Sequence, residues 1–151
     1  MADLIIIRGP WAGHHHYGKG RTHLLIDRLT LAKKRWRGLA ENGTEFGFDL
    51  EHPLGHSAHF FSDETGDYFI EQKPEPVFEI PFHSTEEAAR IAWNIGNLHF
   101  GLQLLPNALR VADDPALVQF LSREKIAHRR LNEIFLPMSA GAHHHHHDSH
   151  G

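Results

Sequence analysis

The chain contains no cysteine. That absence excludes disulfides, thiolate metal sites and thiol nucleophiles together, and it removes cysteine pairing as a guide to redox compartment. No apolar run approaches the roughly 20 residues that span a bilayer. The acidic start followed by Leu4-Ile5-Ile6-Ile7 is too short for a signal peptide, so a cytoplasmic location with no membrane contact is the expectation. Basic residues are outnumbered, 15 Lys plus Arg against 19 Asp plus Glu for a net charge of −4, which argues against nucleic acid as a partner. The one basic run, Lys33-Lys34-Arg35-Trp36-Arg37, reads as a solvated strand. Hydrolase signatures of the Gly-x-Ser-x-Gly and His-Glu-x-x-His kinds are missing as well. Residues 13–20 nearly spell a phosphate-binding loop. Gly20 stands where a Ser or Thr must hold Mg²⁺, however, and the next segment reads as strand.

Histidine is the residue in excess: 16 of 151, more than Lys and Arg combined. Six of the sixteen fall in the last nine residues, as His143-His144-His145-His146-His147-Asp148-Ser149-His150. Neutral imidazole is a borderline ligand that suits Ni, Zn, Cu and Fe, and several side by side can close on one ion without a preformed pocket. Each must be deprotonated to bind, so affinity should fall as pH drops through about 6–6.5. The run is interrupted by Asp148-Ser149 and continues a Ser-Ala-Gly-Ala segment, which fits a native tail better than a purification tag. By the Irving–Williams order, imidazoles alone prefer Cu²⁺, so the tail does not choose the metal. His14-His15-His16 between glycines forms a second small group that reads equally well as a solvated loop. His52, His56 and His59 recur at spacings of four and three, but without a helix that spacing does not gather them.

The first half reads as strands. Candidates are Leu4 to Ile7, the β-rich run 23–31 (HLLIDRLTL), residues 36–40, the alternating run 45–50, and two runs flanking Glu64-Thr65-Gly66. Asn42-Gly43 signals a hairpin, and no helix is expected before about residue 84. Lys73-Pro74-Glu75-Pro76 is the boundary candidate, since two prolines favour an extended, semi-rigid connection. Beyond it, residues 77–81 read as a strand, and Ser84 with Glu87 has the form of a capping box. Ala88, Ile91, Ala92, Ile95 and His99 then follow at helical spacing along one stripe. Two short strands around Pro106-Asn107 come next. Asp114-Pro115 caps a second helix with Leu117, Phe120 and Leu121 inward, and residues 129–135 form a last strand. The expected fold is α+β: a β-rich domain over 1–74, a ferredoxin-like βαββαβ domain over 75–138, and a disordered His-rich tail over 139–151.

A histidine on an apolar stripe is ordinarily a core residue. A metal role for His99 requires a second imidazole, which a two-fold dimer packing that stripe on itself would supply. Asn94-Ile95-Gly96-Asn97-Leu98-His99-Phe100 resembles the Gly-Asn-Arg-His-centred signature of the UreE-type urease accessory proteins. The resemblance continues through residues 42–50, 74–77 and 102–105 and the tail, covering about 20–150 in the family's order. It implies a nickel metallochaperone rather than an enzyme: a homodimer holding Ni²⁺ at the interface histidine, with tail histidines adding ligands. It also implies delivery, with the urease accessory GTPase, to the apo-urease complex. The metal ligands expected are thus His99, His143, His144, His145, His146, His147 and His150, with Zn²⁺ or Cu²⁺ as competing ions. Leu98 stands where the family has Arg, and Val111-Ala112-Asp113-Asp114 where some members carry further histidines. Two other readings are passive storage of Ni, Zn or Cu with no urease client, and a hydrolytic metalloenzyme at His99, which lacks an accompanying general base.

Overall fold

The computed structural model describes residues 3–14 and 19–138. The chain divides into two compact units, Met1–Pro74 and Glu75–Gly151. The architecture is α+β and rich in sheet.

The first unit holds two three-stranded sheets. In one, β1 (Ile5–Ile7) runs parallel to β4 (Glu45–Asp49), which is paired antiparallel with β3 (Arg35–Leu39). The β3–β4 turn is the one signalled by Asn42-Gly43. Gly43 adopts φ +88, and the Asn42 side-chain carbonyl accepts the Thr44 N–H at 3.1 Å. In the other sheet, β2 (Gly20–Ile26) runs parallel to β6 (Gly66–Gln72), which pairs antiparallel with β5 (His59–Asp63). Leu24, Phe46, Phe48, Phe60, Tyr68 and Ile70 are buried together in one cluster, each contributing about 1.5–3 kcal/mol by leaving water. Trp36 stacks on Phe48 with ring centroids 3.8 Å apart.

The run 23–31 is not one strand. β2 stops at Ile26, and Arg28–Leu31 forms a short helix, α1, so the expectation of no helix before residue 84 is overturned. The reason is local: Asp27 caps it, its carboxylate accepting the Thr30 N–H at 2.9 Å, and Leu31 turns into the core. A single capped turn carries too little periodicity to stand out against four β-compatible residues.

The second unit runs β7 (Glu75–Pro81), α2 (Thr85–Asn97), β8 (Gln103–Leu104), β9 (Ala108–Ala112), α3 (Pro115–Arg123), β10 (Arg129–Glu133). Its four strands form one antiparallel sheet in the order β10-β7-β9-β8. Both helix starts follow the sequence signals. Ser84 Oγ accepts the Glu87 N–H at 3.1 Å, while the Glu87 carboxylate accepts the N–H of His83, one residue before the cap. Asp114 caps α3 by accepting the Ala116 N–H at 2.9 Å. Ile91, Ile95, Leu117, Phe120 and Leu121 pack on Phe78, Ile80, Leu109 and Val111 of the sheet. Alternation sends Glu79 to the opposite face, between Arg110 on β9 and Arg129 on β10, its register partners. The Arg129 hydrogen bond, opposed by burial, holds the Glu79 carboxyl below the usual range, aided by the nearby charges.

Candidate metal centre

His99 is not on the helical stripe. Helix α2 ends at Asn97, Leu98 is its C-cap, and His99 lies beyond it with φ +63. The His99 N–H donates to the Gly96 carbonyl at 2.9 Å and the Phe100 N–H to the Ile95 carbonyl at 3.4 Å. This pair of bonds is a Schellman stop, in which the residue after the cap is left-handed and usually glycine. Phe100 anchors the stop by packing against the cluster that contains Ile95. The spacing 91, 95, 99 therefore breaks between its second and third members. His99 is exposed rather than half-buried, and its ring forms no hydrogen bond or ion pair among the described residues.

Its surroundings suit a cation. It sits at the C-terminal end of a 13-residue helix, where peptide carbonyls point outward and the dipole favours positive charge, and no basic side chain occupies the last turn. Two large apolar side chains near this end of the helix are exposed, the adjacent Leu98 at 39% and Trp93, further back on α2, at 71%. Leu98 thus presents aliphatic surface where the signature has a guanidinium.

The segment that follows His99 is tied to the end of the described chain. Leu102 bridges Met138, and the Met138 N–H donates to the Leu102 carbonyl at 2.8 Å. The Gln103 side-chain carbonyl accepts the Leu136 N–H at 3.1 Å. Gly101 leaves room for this crossing, since a Cβ there would lie 3.1 Å from Pro137 and 3.2 Å from the Met138 carbonyl. The anticipated ligands His143, His144, His145, His146, His147 and His150 lie outside the described residues, as do His15 and His16.

The 52–56–59 histidines are not gathered. His52 is fully in solvent beside Glu51. His56 Nδ1 accepts the Gln72 N–H at 3.1 Å, and His59 Nε2 is engaged by Ser62 Oγ at 2.8 Å and lies 3.6 Å from Asp67. His56 and His59 thus serve as structural partners of β6 and of the β5–β6 pair, and His52 does neither. Among the described residues one group could share an ion, His23 with Glu41 and Glu71. Sequence inspection missed it, because its members lie far apart along the chain: the parallel β2–β6 register brings Glu71 to His23, and Glu41 comes from the β3–β4 turn.

A family profile for the C-terminal domain of the UreE urease accessory protein matches residues 75–151. Among individual relatives, a urease accessory protein UreE of Acinetobacter baylyi is 30% identical over 79% of this chain and 76% of its own length. One of Microcystis aeruginosa is 32% identical over 83% and 82%, and one of Beijerinckia indica 30% identical over 97% and 85%. Among the described residues, no helix is long and apolar enough to cross a membrane.

Proposed function

The chain belongs to the UreE urease accessory protein family, whose members are accessory proteins and not enzymes, and from that premise we propose that it binds Ni²⁺ and hands it on for assembly of the urease active site. The proposed ligands are His99 and the histidines 143–147 and 150. The second unit is taken as a ferredoxin-like metal-binding domain over 75–138, the first as a β-rich domain over 1–74, and 139–151 as the metal-collecting histidine tail.

The observation that carries this reading is the Leu102–Met138 bridge. Bridged residues lie about 5 Å apart, and three residues from His99 to Leu102 span at most about 11 Å. The His99 and Met138 backbones are therefore within about 16 Å of each other. Five residues from Met138 to His143 reach up to about 17 Å, so covalent geometry allows an imidazole beyond residue 142 to meet the one at 99. A helix C-terminus favourable to cations adds to the same point.

The proposed carrier is a homodimer. Trp93 and Leu98 of the α2 segment are exposed, and an apolar hollow of about 740 Å³ runs along α2, lined by Phe82, Ala88, Ala92, Leu104 and Met138. An apolar face of this kind suits a second copy, and the proposed dimer is one whose two-fold axis passes close enough to the end of α2 for two His99 rings to share an ion. Capture by several exchangeable imidazoles suits transfer to an accessory GTPase and apo-urease better than a fixed catalytic site, which keeps about three rigid ligands and one open position.

Calorimetric titration with Ni²⁺ of the full chain, His99→Ala and a chain ending at Ala142 tests the assignment. The tightest site should vanish in His99→Ala and weaker sites on truncation. A tight site that survives His99→Ala refutes it. Nickel-dependent activation of apo-urease with the GTPase present separates delivery from storage, since a passive buffer gives none.

A further inference from the structure

On β2, Leu24 is fully buried, so alternation turns His23 and Leu25 toward solvent. The parallel register pairs His23 with Phe69 and Leu25 with Glu71, which brings Glu71 to the same outer face. Glu41 arrives from the β3–β4 turn and is fixed there by backbone. Its N–H donates to the His23 carbonyl at 2.9 Å, and its Oε2 accepts the His23 N–H at 3.3 Å. That same oxygen lies 3.7 Å from His23 Nδ1. One ligand atom from each of His23, Glu41 and Glu71 falls within 4.8 Å of the others. Beside them opens a hollow of about 230 Å³, lined in part by His23, His56 and Glu71.

We propose that His23, Glu41 and Glu71 form a divalent transition-metal site on the first unit, independent of His99 and the tail and of the nickel-delivery reading. Two carboxylates brought this close repel one another, and a cation shared between them turns that repulsion into coordination. One imidazole nitrogen and two carboxylate oxygens form a mixed donor set that fits six-coordinate first-row divalent ions, with water in the remaining positions. The set is harder than an all-imidazole cluster, so relative to the tail it favours Mn²⁺ over Cu²⁺ or Ni²⁺. His56 supports the site without joining it. Its Nδ1 lone pair is taken by the Gln72 N–H, which leaves the ring proton of the neutral form on Nε2. His23 and Glu71 stand on register-locked strands and Glu41 is tied to His23 by the two hydrogen bonds above, so small rotations of two glutamate side chains suffice to close the set on an ion.

Mn²⁺ is the discriminating probe, because oxygen donors retain it and imidazole clusters hold it weakly. Full-length ¹⁵N-labelled protein titrated with substoichiometric Mn²⁺ should lose amide signals first around residues 23, 41 and 71. The six-line spectrum of free Mn²⁺ should be quenched up to one equivalent per chain. Glu41→Gln and Glu71→Gln, which keep shape and remove charge, should each weaken retention by roughly a hundredfold, at or beyond the upper end of the 10–100-fold that outer-shell changes cost. His99→Ala should leave the titration unchanged. Broadening centred elsewhere, retention that survives Glu41→Gln and Glu71→Gln, or dependence on His99 would each overturn the proposal and leave His23–Glu41 as an ion pair alone. Matching amide spectra of the metal-free variants establish that they are folded.

Discussion

Replacing His99 by glycine should make the metal-free protein more stable while removing its proposed nickel ligand. The ring has no protein partner among the described residues, but the backbone sits at φ +63 after the last turn of α2. For an L-residue that region costs about 1–2 kcal/mol, and histidine tolerates it better than most. Glycine relieves this but enlarges the unfolded ensemble, returning about 0.4–1 kcal/mol. The expected net gain is about 0.5–1 kcal/mol. For a unit of this size that is roughly 2–8 °C in the melting transition, at about 4–8 °C per kcal/mol. The measurement is thermal unfolding in chelator at fixed protein concentration, comparing wild type, His99→Gly and His99→Ala. Both variants delete the imidazole, so the difference between them reads the backbone alone. If His99→Ala matches or exceeds His99→Gly, the left-handed stop is not strained and the reasoning fails. With saturating Ni²⁺ the order should reverse, because wild type alone gains the stability of an ion bound at His99. A strained residue kept where glycine would relax the chain is the signature of a position held for function.

Ser84→Ala should cost about 1 kcal/mol by removing the α2 cap, seen as a lower denaturant midpoint with an unchanged slope. Glu79→Gln should cost about 1–2 kcal/mol at pH 7, a figure discounted because Arg129 is largely exposed. The Glu79 carboxyl is depressed in the folded state. Its contribution is therefore complete above the unfolded value near 4.5 and is lost as pH falls through the folded value. Urea denaturation at pH 7, 5 and 3 should show wild type converging on the variant at the acid end, and a constant gap would refute the assignment. Gly66→Ala should be severe, at more than about 3 kcal/mol. Gly66 holds φ +140, and a Cβ there would collide with the Gly20 carbonyl across the β2–β6 pair. Loss of near-ultraviolet signal from Phe46, Phe60 and Tyr68 would report the collapse, and a native-like spectrum would count against it.

What was legible in the sequence was local. Asn42-Gly43, Ser84 with Glu87, and Asp114-Pro115 each act within a few residues, and each marks the turn or helix start found there. The mixed α+β, sheet-rich character followed from the change of period after Pro74. The failures have physical causes of two kinds. The 91–95–99 stripe was extended one turn too far because helical spacing says nothing about where a helix stops. Here the stop is set by Phe100 folding back onto the core. The parallel pairings of β1 with β4 and β2 with β6, and the His23–Glu41–Glu71 group that depends on one of them, arise from contacts between distant segments that periodicity does not encode.

Those two parallel pairings also govern how the first unit must assemble. Ile5 meets Phe46 and Gly20 meets Gly66, so each pairing closes a loop of more than half the unit before any reward is collected. Topologies of this kind have high relative contact order and fold on the millisecond-to-second scale. Until β4 and β6 are in place, Ile5-Ile6-Ile7 and the β2 apolar residues are unpaired strand edges, the species most prone to self-association. Newly made chains would pass through that interval before the first unit closes, and lower temperature or dilution during refolding should raise the yield of native protein.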